Sequence, residues 1–262
     1  METSEFLGHQ GCDKCGSSDA LATYSDGHGY CFNCQTHFKE VGNVEATNVV
    51  SYTKPVELYG TPMAITDRRI SLDTAKRYGV TSDDCKQYYP YYDRDGKLIG
   101  SKVRTVETKE FSTRGDMRNN VLFGQQLFNT GGRYVTVVEG ELDALAAYEM
   151  LGSRYPVVSV SKGASGAVKD FKQNLEWLEG FENVVICFDN DVAGKEAADK
   201  CAQVLSPNKA KIVTLGAYKD ASDYLKANKV RQFTAEWWEA KAYRMTGVIT
   251  LEDAWGDFIK RG

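Results

Sequence analysis

Apolar positions along the chain change period, and the change divides it. From Tyr134 to Leu225, short apolar runs of strand length appear at Tyr134–Val138, Pro156–Val160, Asn183–Phe188 and Ala210–Leu215. Helical patterns lie between them, over Glu141–Leu151, Ala164–Leu178 and Ala193–Leu205. Strands alternating with helices predict βαβ units and a parallel sheet covered on both faces.

Upstream the pattern is different. Ser71 to Gly79 reads as a short helix, capped by the serine and stopped by the glycine. Tyr88–Tyr92, the turn Asp93-Arg94-Asp95-Gly96 and Leu98–Val103 read as a β-hairpin. Glu40–Thr61 is polar with little amphipathic order, as in a tether between two folded parts. Near the end, Trp237-Trp238 sits in a helical stretch, and after Thr246-Gly247 the residues Leu251, Ala254, Trp255, Phe258 and Ile259 form one apolar stripe. Following a glycine break, that stripe favours docking on a partner chain.

Composition narrows the classes. The 262 residues are 42% hydrophobic with five prolines, which fits a folded chain. No run approaches the length of a membrane span, and the start Met1-Glu2-Thr3-Ser4-Glu5 is acidic, unlike a signal peptide, so a cytoplasmic location is expected. A formal charge of −4 excludes a strongly basic nucleic-acid coat, leaving local patches or bound cations to make such contacts. One patch is visible. Lys97, Lys102, Arg104, Lys109, Arg114 and Arg118 outnumber Glu107, Glu110 and Asp116 between Lys97 and Arg118. It reads either as a phosphate-contacting surface or as a sheet edge protected by charge.

Four of the seven cysteines form two C-x-x-C pairs, Cys12-Asp13-Lys14-Cys15 and Cys31-Phe32-Asn33-Cys34. Pairs at this spacing predict a tetrahedral Zn²⁺ site in a zinc ribbon, with turns at Gly16-Ser17-Ser18 and Asp26-Gly27-His28-Gly29. So short a segment cannot bury enough surface to fold alone, and the metal supplies much of its stability. His28 is an alternative ligand, but beside four thiolates it is expected to point outward, toward a phosphate or a base.

The chemistry-bearing pattern is acidic. The first strand stops at Glu139-Gly140-Glu141-Leu142-Asp143, the third at Asp189-Asn190-Asp191, and Lys219-Asp220-Ala221-Ser222-Asp223 follows the fourth. In an open parallel sheet these clusters face one crevice beyond the carboxyl ends of the strands. Uncompensated carboxylates there raise one another's pKa, and Mg²⁺ or Mn²⁺, two ions in all, is the natural resolution. Helix capping explains one or two of the residues, not three clusters.

A glutamate closing one strand and Asp-x-Asp closing another resembles the Toprim domain, over roughly Arg133–Lys229. With the four-cysteine module, the tether and the basic hairpin, the whole is similar to the primase half of the T-seven-like bacteriophage primase–helicases. Matching stretches include Cys12–Ser18, Ser25–His28, Gly100–Arg104, Val138–Asp143, Gly163–Ser165, Phe188–Asp191 and Lys219–Ala221. The resemblance implies a zinc ribbon over 1–42, a linker over 43–61, a mixed α+β basic subdomain over 62–132, a Toprim α/β domain over 133–245 and a connector helix over 246–262.

It also implies roles. Glu139 becomes the catalytic acid/base or metal-organising residue, and Glu141, Asp143, Asp189, Asp191 and Asp220 join it as the Mg²⁺ set. Lys102 and Lys109 join Glu139 as catalytic residues that handle nucleotides, and His28 reads template; Arg104, on the same strand as Lys102, and Arg114 are the further residues expected to bind nucleic acid or nucleotide. The expected activity is synthesis of short RNA primers from ribonucleoside triphosphates on single-stranded DNA, in the host cytoplasm if the chain is phage-encoded. Expected partners are a helicase domain or neighbouring subunits through the last helix, and a replicative DNA polymerase. A metal-dependent Toprim nuclease and a non-enzymatic zinc–Toprim DNA clamp are the alternatives.

Overall fold

The computed structural model describes residues 4–39 and 58–244, in two compact units, Met1–Tyr52 and Thr53–Gly262. Residues 43–57 of the expected linker and the expected connector helix 246–262 lie outside the described residues.

The small unit is an antiparallel meander of β1 (Phe6–Cys12), β2 (Ser17–Tyr24), β3 (Gly29–Cys31) and β4 (Thr36–Phe38). Among the described residues, its buried apolar cluster holds only Cys12, Leu21 and Cys31. That is too little apolar surface to offset chain entropy without a cross-link.

The large unit starts earlier than the pattern predicts. Thr61 exchanges backbone hydrogen bonds with Ser82, so residues 58–61 belong to the folded unit and not to the tether. Helix α1 (Leu72–Tyr78) follows, with Ser71 Oγ accepting from the Thr74 amide and Gly79 closing it at φ +70°. An antiparallel sheet comes next, in the order β5 (Thr81–Ser82), β6 (Lys86–Tyr92), β7 (Leu98–Thr105) and β8 (Phe111–Gly115). The hairpin is as expected. Strand β8 is an addition, and every residue of it is exposed.

The second sheet runs β10-β9-β11-β12-β13. Its elements in chain order are β9 (Gly132–Val138), α2 (Glu141–Met150), β10 (Val157–Ser159), α3 (Gly163–Gln173), α4 (Leu175–Glu179), β11 (Phe181–Cys187), α5 (Val192–Ala202), β12 (Ala210–Ile212), α6 (Ala221–Lys226), α7 (Val230–Trp238) and β13 (Lys241–Ala242). The first four strands of the sheet are parallel, as predicted, but β13 is an antiparallel edge. The single helix expected over Ala164–Leu178 is two. At Asn174 the chain leaves the helix, and both the amide and the side chain of Asn174 bond back to the Asp170 carbonyl.

Each face of this sheet buries its own cluster. One joins Val135, Val137, Val184 and Ile186 to α3, α4 and α5. The other joins Val138, Val185 and Cys187 to α2, α6 and α7, and takes in Tyr78, Tyr89, Tyr91 and Phe123 from the first half of the unit. A continuous core therefore fuses the antiparallel sheet to the parallel one. Thr136, the one polar side chain inside the β9 run, is buried because Trp237 Nε1 donates to its hydroxyl at 3.0 Å.

Candidate active site

Strand β9 lies between β10 and β11, and the chain leaves β9 toward one edge and β11 toward the other. That reversal opens a crevice at the carboxyl ends of these two strands. Val138 and Cys187 are register partners at its floor, so Glu139 and Phe188-Asp189 emerge side by side.

Glu139 is held rather than free. Its Oε1 accepts from the Ala164 amide at 3.1 Å, in the first turn of α3, and its Oε2 from the Asp189 amide at 3.4 Å. Gly163 stands at φ +62°, with space for a Cβ only 3.4 Å from Glu139 Oε1, so the approach of α3 to this carboxylate favours glycine. The Ser161–Gly166 segment thus points an amide at a protein carboxylate. Burial and the Asp189 charge raise the Glu139 pKa, against the two amides that lower it.

The remaining carboxylates divide by partner. Asp191 caps α5, with Oδ1 accepting from the Gly194 amide at 2.9 Å, and this bond followed by Lys219 depresses its pKa. Asp220 caps α6 through the Asp223 amide at 2.7 Å, yet burial raises its pKa. Asp143 accepts from the Ser222 amide at 2.9 Å, and burial and then Asp220 push its pKa well up. Two of these residues do cap helices, and each cap occupies one oxygen of the pair.

Lys219, which precedes Asp220, adds a cation to these carboxylates. Its ammonium lies 2.9 Å from Asp189 Oδ2 and 3.3 Å from Asp191 Oδ2, and these charges raise its pKa. A basic residue beside an acidic one at a strand end was the available signal. The carboxylates are oxygen donors of the type a hard divalent cation takes. Among the described residues, however, only the four cysteines bring three or more candidate ligand atoms within 4.8 Å of one another.

Glu141 faces elsewhere. It is buried, and its Oε1 accepts from Lys102 Nζ at 2.7 Å and from the Tyr91 hydroxyl. Neither bond was legible from chain order. Lys102 is close to the crevice through this contact, whereas Lys109 is an exposed turn residue at φ +60° between β7 and β8. Arg114 stacks on Tyr59 and Tyr88, at 4.8 and 5.6 Å. It opposes Ser101 in register, and so lies on the other sheet face from Lys102. The expectation that Arg104 contacts nucleic acid does not fit its surroundings. The residue is 3% exposed, and its guanidinium donates to Gln87 Oε1 at 3.0 Å, as a core residue does.

In the small unit the four sulfurs converge. Cys12 and Cys34 are 3.8 Å apart, and Cys15 and Cys31 3.7 Å apart. A tetrahedral Zn²⁺ with bonds of about 2.3 Å spaces its sulfurs by about 3.8 Å, so the set fits the metal. The Asn33 amide lowers the Cys15 thiol to about 6, which favours the thiolate a metal binds, while burial lifts Cys12 to about 11. His28 is outside this group. It stacks on Tyr24 at 4.2 Å and its Nδ1 meets Asp26 Oδ1 at 2.5 Å, with about a third of the side chain exposed (35%).

Residues 136–225 match a family described as Toprim-like. Residues 60–115 match one described as the N-terminal α+β fold of bacteriophage T7 DNA helicase/primase. The DNA helicase/primase of Enterobacteria phage T3 is 32% identical over 265 residues, which is 95% of this chain and 46% of that protein. The chain thus spans less than half the length of that relative. The crystal structure of the primase fragment of bacteriophage T7 primase-helicase superimposes with a TM-score of 0.65 at 34% identity, covering 89% of this chain and 100% of the fragment. A structure of bacteriophage T7 lagging-strand DNA polymerase interacting with primase domains of two subunits, bound to an RNA/DNA hybrid and dTTP, gives 0.65 at 35% identity over 70% of this chain and 94% of the matched one.

Proposed function

Because the chain belongs to the family of the bacteriophage T7 primase-helicase primase fragment, we propose that it is a DNA primase. It joins ribonucleoside triphosphates into short RNA primers on a single-stranded DNA template. The observation that carries this reading is Glu139, clamped between two backbone amides at the switch-point crevice beside Asp189.

The reaction joins a 3′-oxygen to the α-phosphorus of the next nucleotide, and the bond to pyrophosphate breaks. Glu139 takes the proton from that hydroxyl, and its raised pKa makes it a better base than an ordinary carboxylate. Glu139, Asp189, Asp191 and Asp220 are the residues to hold Mg²⁺ or Mn²⁺. Such a cation, when bound, supplies positive charge against the attacking oxygen and the leaving pyrophosphate. Lys219 pairs with Asp189 and Asp191, and its ammonium would supply positive charge toward a substrate phosphate beside a cation held by these carboxylates. Lys102, and more loosely Lys109, meet the triphosphate from the antiparallel sheet.

In the small unit, Zn²⁺ on Cys12, Cys15, Cys31 and Cys34 holds the ribbon, and His28 with Tyr24 offers a stacked, hydrogen-bonding surface for template bases. The polymerase complex of the T7 relative makes a replicative DNA polymerase the natural partner, and a helicase segment is a second one.

The test uses single-stranded DNA, Mg²⁺ and labelled ribonucleotides, with products resolved by size. Short RNA that depends on template is expected. Shortened DNA without RNA means a nuclease, and DNA binding with no product means a clamp. Either result ends the primase reading.

A further inference from the structure

Glu139 and Glu141 are separated by one glycine, yet their side chains belong to different neighbourhoods. The partners of Glu139 are amides of α3 and of the segment after β11. The partners of Glu141 are Tyr91 on β6 and Lys102 on β7, both in the antiparallel sheet. Lys102 is paired in register with Tyr89, and Tyr91 lies two residues along the same face, so the three side chains meet at the seam between the sheets.

Two donors already share Glu141 Oε1, in a site where the residue is 3% exposed. One donor is an ammonium, so the carboxylate is matched without any added cation. The ammonium has three N–H groups. One serves Glu141, and the half-exposed ring of Phe111 stands 5.2 Å away on the outer side. The others are left for an anion entering the cleft.

We infer that Glu141 is a positioning residue and not a metal ligand. With Tyr91 it fixes the ammonium of Lys102 at the seam, where it meets the triphosphate of an incoming ribonucleotide. The identity of that substrate rests on the primase reading, but the geometry of the triad does not. Tyr91 orients the carboxylate, the carboxylate orients the ammonium, and only the ammonium touches substrate.

The experiment measures primer synthesis against ribonucleotide and against Mg²⁺ for wild type, Y91F, E141Q, K102A and the K102A/E141Q double variant. ATP binding by equilibrium dialysis runs in parallel. Y91F and E141Q are expected to raise KM for ribonucleotide and weaken ATP binding, each by about tenfold, the loss of one charge-assisted bond. The Mg²⁺ concentration for half-maximal rate stays where it is in wild type. In the K102A background, E141Q adds little, since its effect passes through the lysine. Y91F keeps the ion pair and removes one hydroxyl, so it carries the test should E141Q fail to fold.

The inference is overturned if E141Q raises the Mg²⁺ concentration for half-maximal rate above that of wild type. It is equally overturned if the K102A and E141Q losses multiply, or if Y91F matches wild type in both KM and ATP binding. A wild-type protein that makes no RNA sinks the primase reading instead. The triad is then judged on ATP binding alone, by the same comparison of Y91F and E141Q with wild type.

Discussion

The ammonium of Lys219 lies 2.9 Å from Oδ2 of Asp189, and it also reaches Asp191. A charge belonging to the protein thus sits on two of the carboxylates proposed to hold a divalent cation. Lys219→Met leaves the two carboxylates facing each other. In EDTA the variant is expected to melt below wild type, and Mg²⁺ is expected to raise its melting temperature by more than it raises that of wild type. Melts by circular dichroism with and without Mg²⁺ decide it. Equal rises in the two proteins mean that Lys219 does not stand in for a cation.

Glu139→Gln keeps an acceptor for the Ala164 amide and removes the charge. Primer synthesis is expected to fall by about 10² to 10⁴. DNA affinity by fluorescence anisotropy should be unchanged. Since burial and Asp189 already oppose ionisation of Glu139, the variant is expected to melt no lower than wild type. Activity within a few-fold of wild type removes Glu139 from the chemistry.

Three carboxyls in the crevice, Glu139, Asp143 and Asp220, have raised pKa values, chiefly through burial. A carboxyl whose folded pKa exceeds its unfolded one binds its proton more tightly in the native state. Stability contributed by such a group falls as pH rises from about 4, the unfolded value, through the raised one. Asp191 runs the other way, because its pKa is depressed, and its contribution is lost as pH falls below that range. Asp143→Asn removes the largest raised group while keeping an acceptor for the Ser222 amide. Its melting temperature is expected to exceed that of wild type at pH 7, with the gain shrinking at pH 4. A gain that is larger at pH 4 contradicts the assignment.

Among the described residues, the buried cluster of the small unit holds three, two of them cysteines. Chelation of Zn²⁺, or Cys31→Ser, is expected to unfold residues 4–39 and to leave the melting of the large unit in place. Limited proteolysis with mass spectrometry reads out the first effect, and calorimetry the second. Metal analysis should give one Zn²⁺ per chain in wild type. A protease-resistant ribbon after chelation refutes the metal's structural role.

Much of this fold is legible in the amino-acid sequence. The β9 and β11 runs are Val-rich and largely apolar because both faces of those strands are buried, and that signal survives without context. Their acidic ends follow from chain order alone. What escaped had no periodic signature. Strand β8 (Phe111–Gly115) is an exposed edge with no buried side to alternate against. The break at Asn174 comes from a side chain competing for the Asp170 carbonyl inside an otherwise helical pattern. Arg104 sits among basic neighbours in sequence, but only the β6–β7 register sets it beside Gln87, inside the core. Glu141 and Lys102 are far apart in the chain, and nothing short of the fused core brings them together.

Val138 and Cys187 are held as neighbours by a parallel ladder, so the separation of Glu139 from Asp189 is written into hydrogen-bond register and not into any loop. Extra residues at the exposed Gly152-Ser153-Arg154 turn would lengthen the crossover and move neither carboxylate. A single deletion inside β11 would turn Asp189 to the opposite face. The centre therefore tolerates drift around it and is brittle along two strands. A library seeking altered nucleotide preference belongs in the turns and in the antiparallel sheet, with β9 and β11 left untouched.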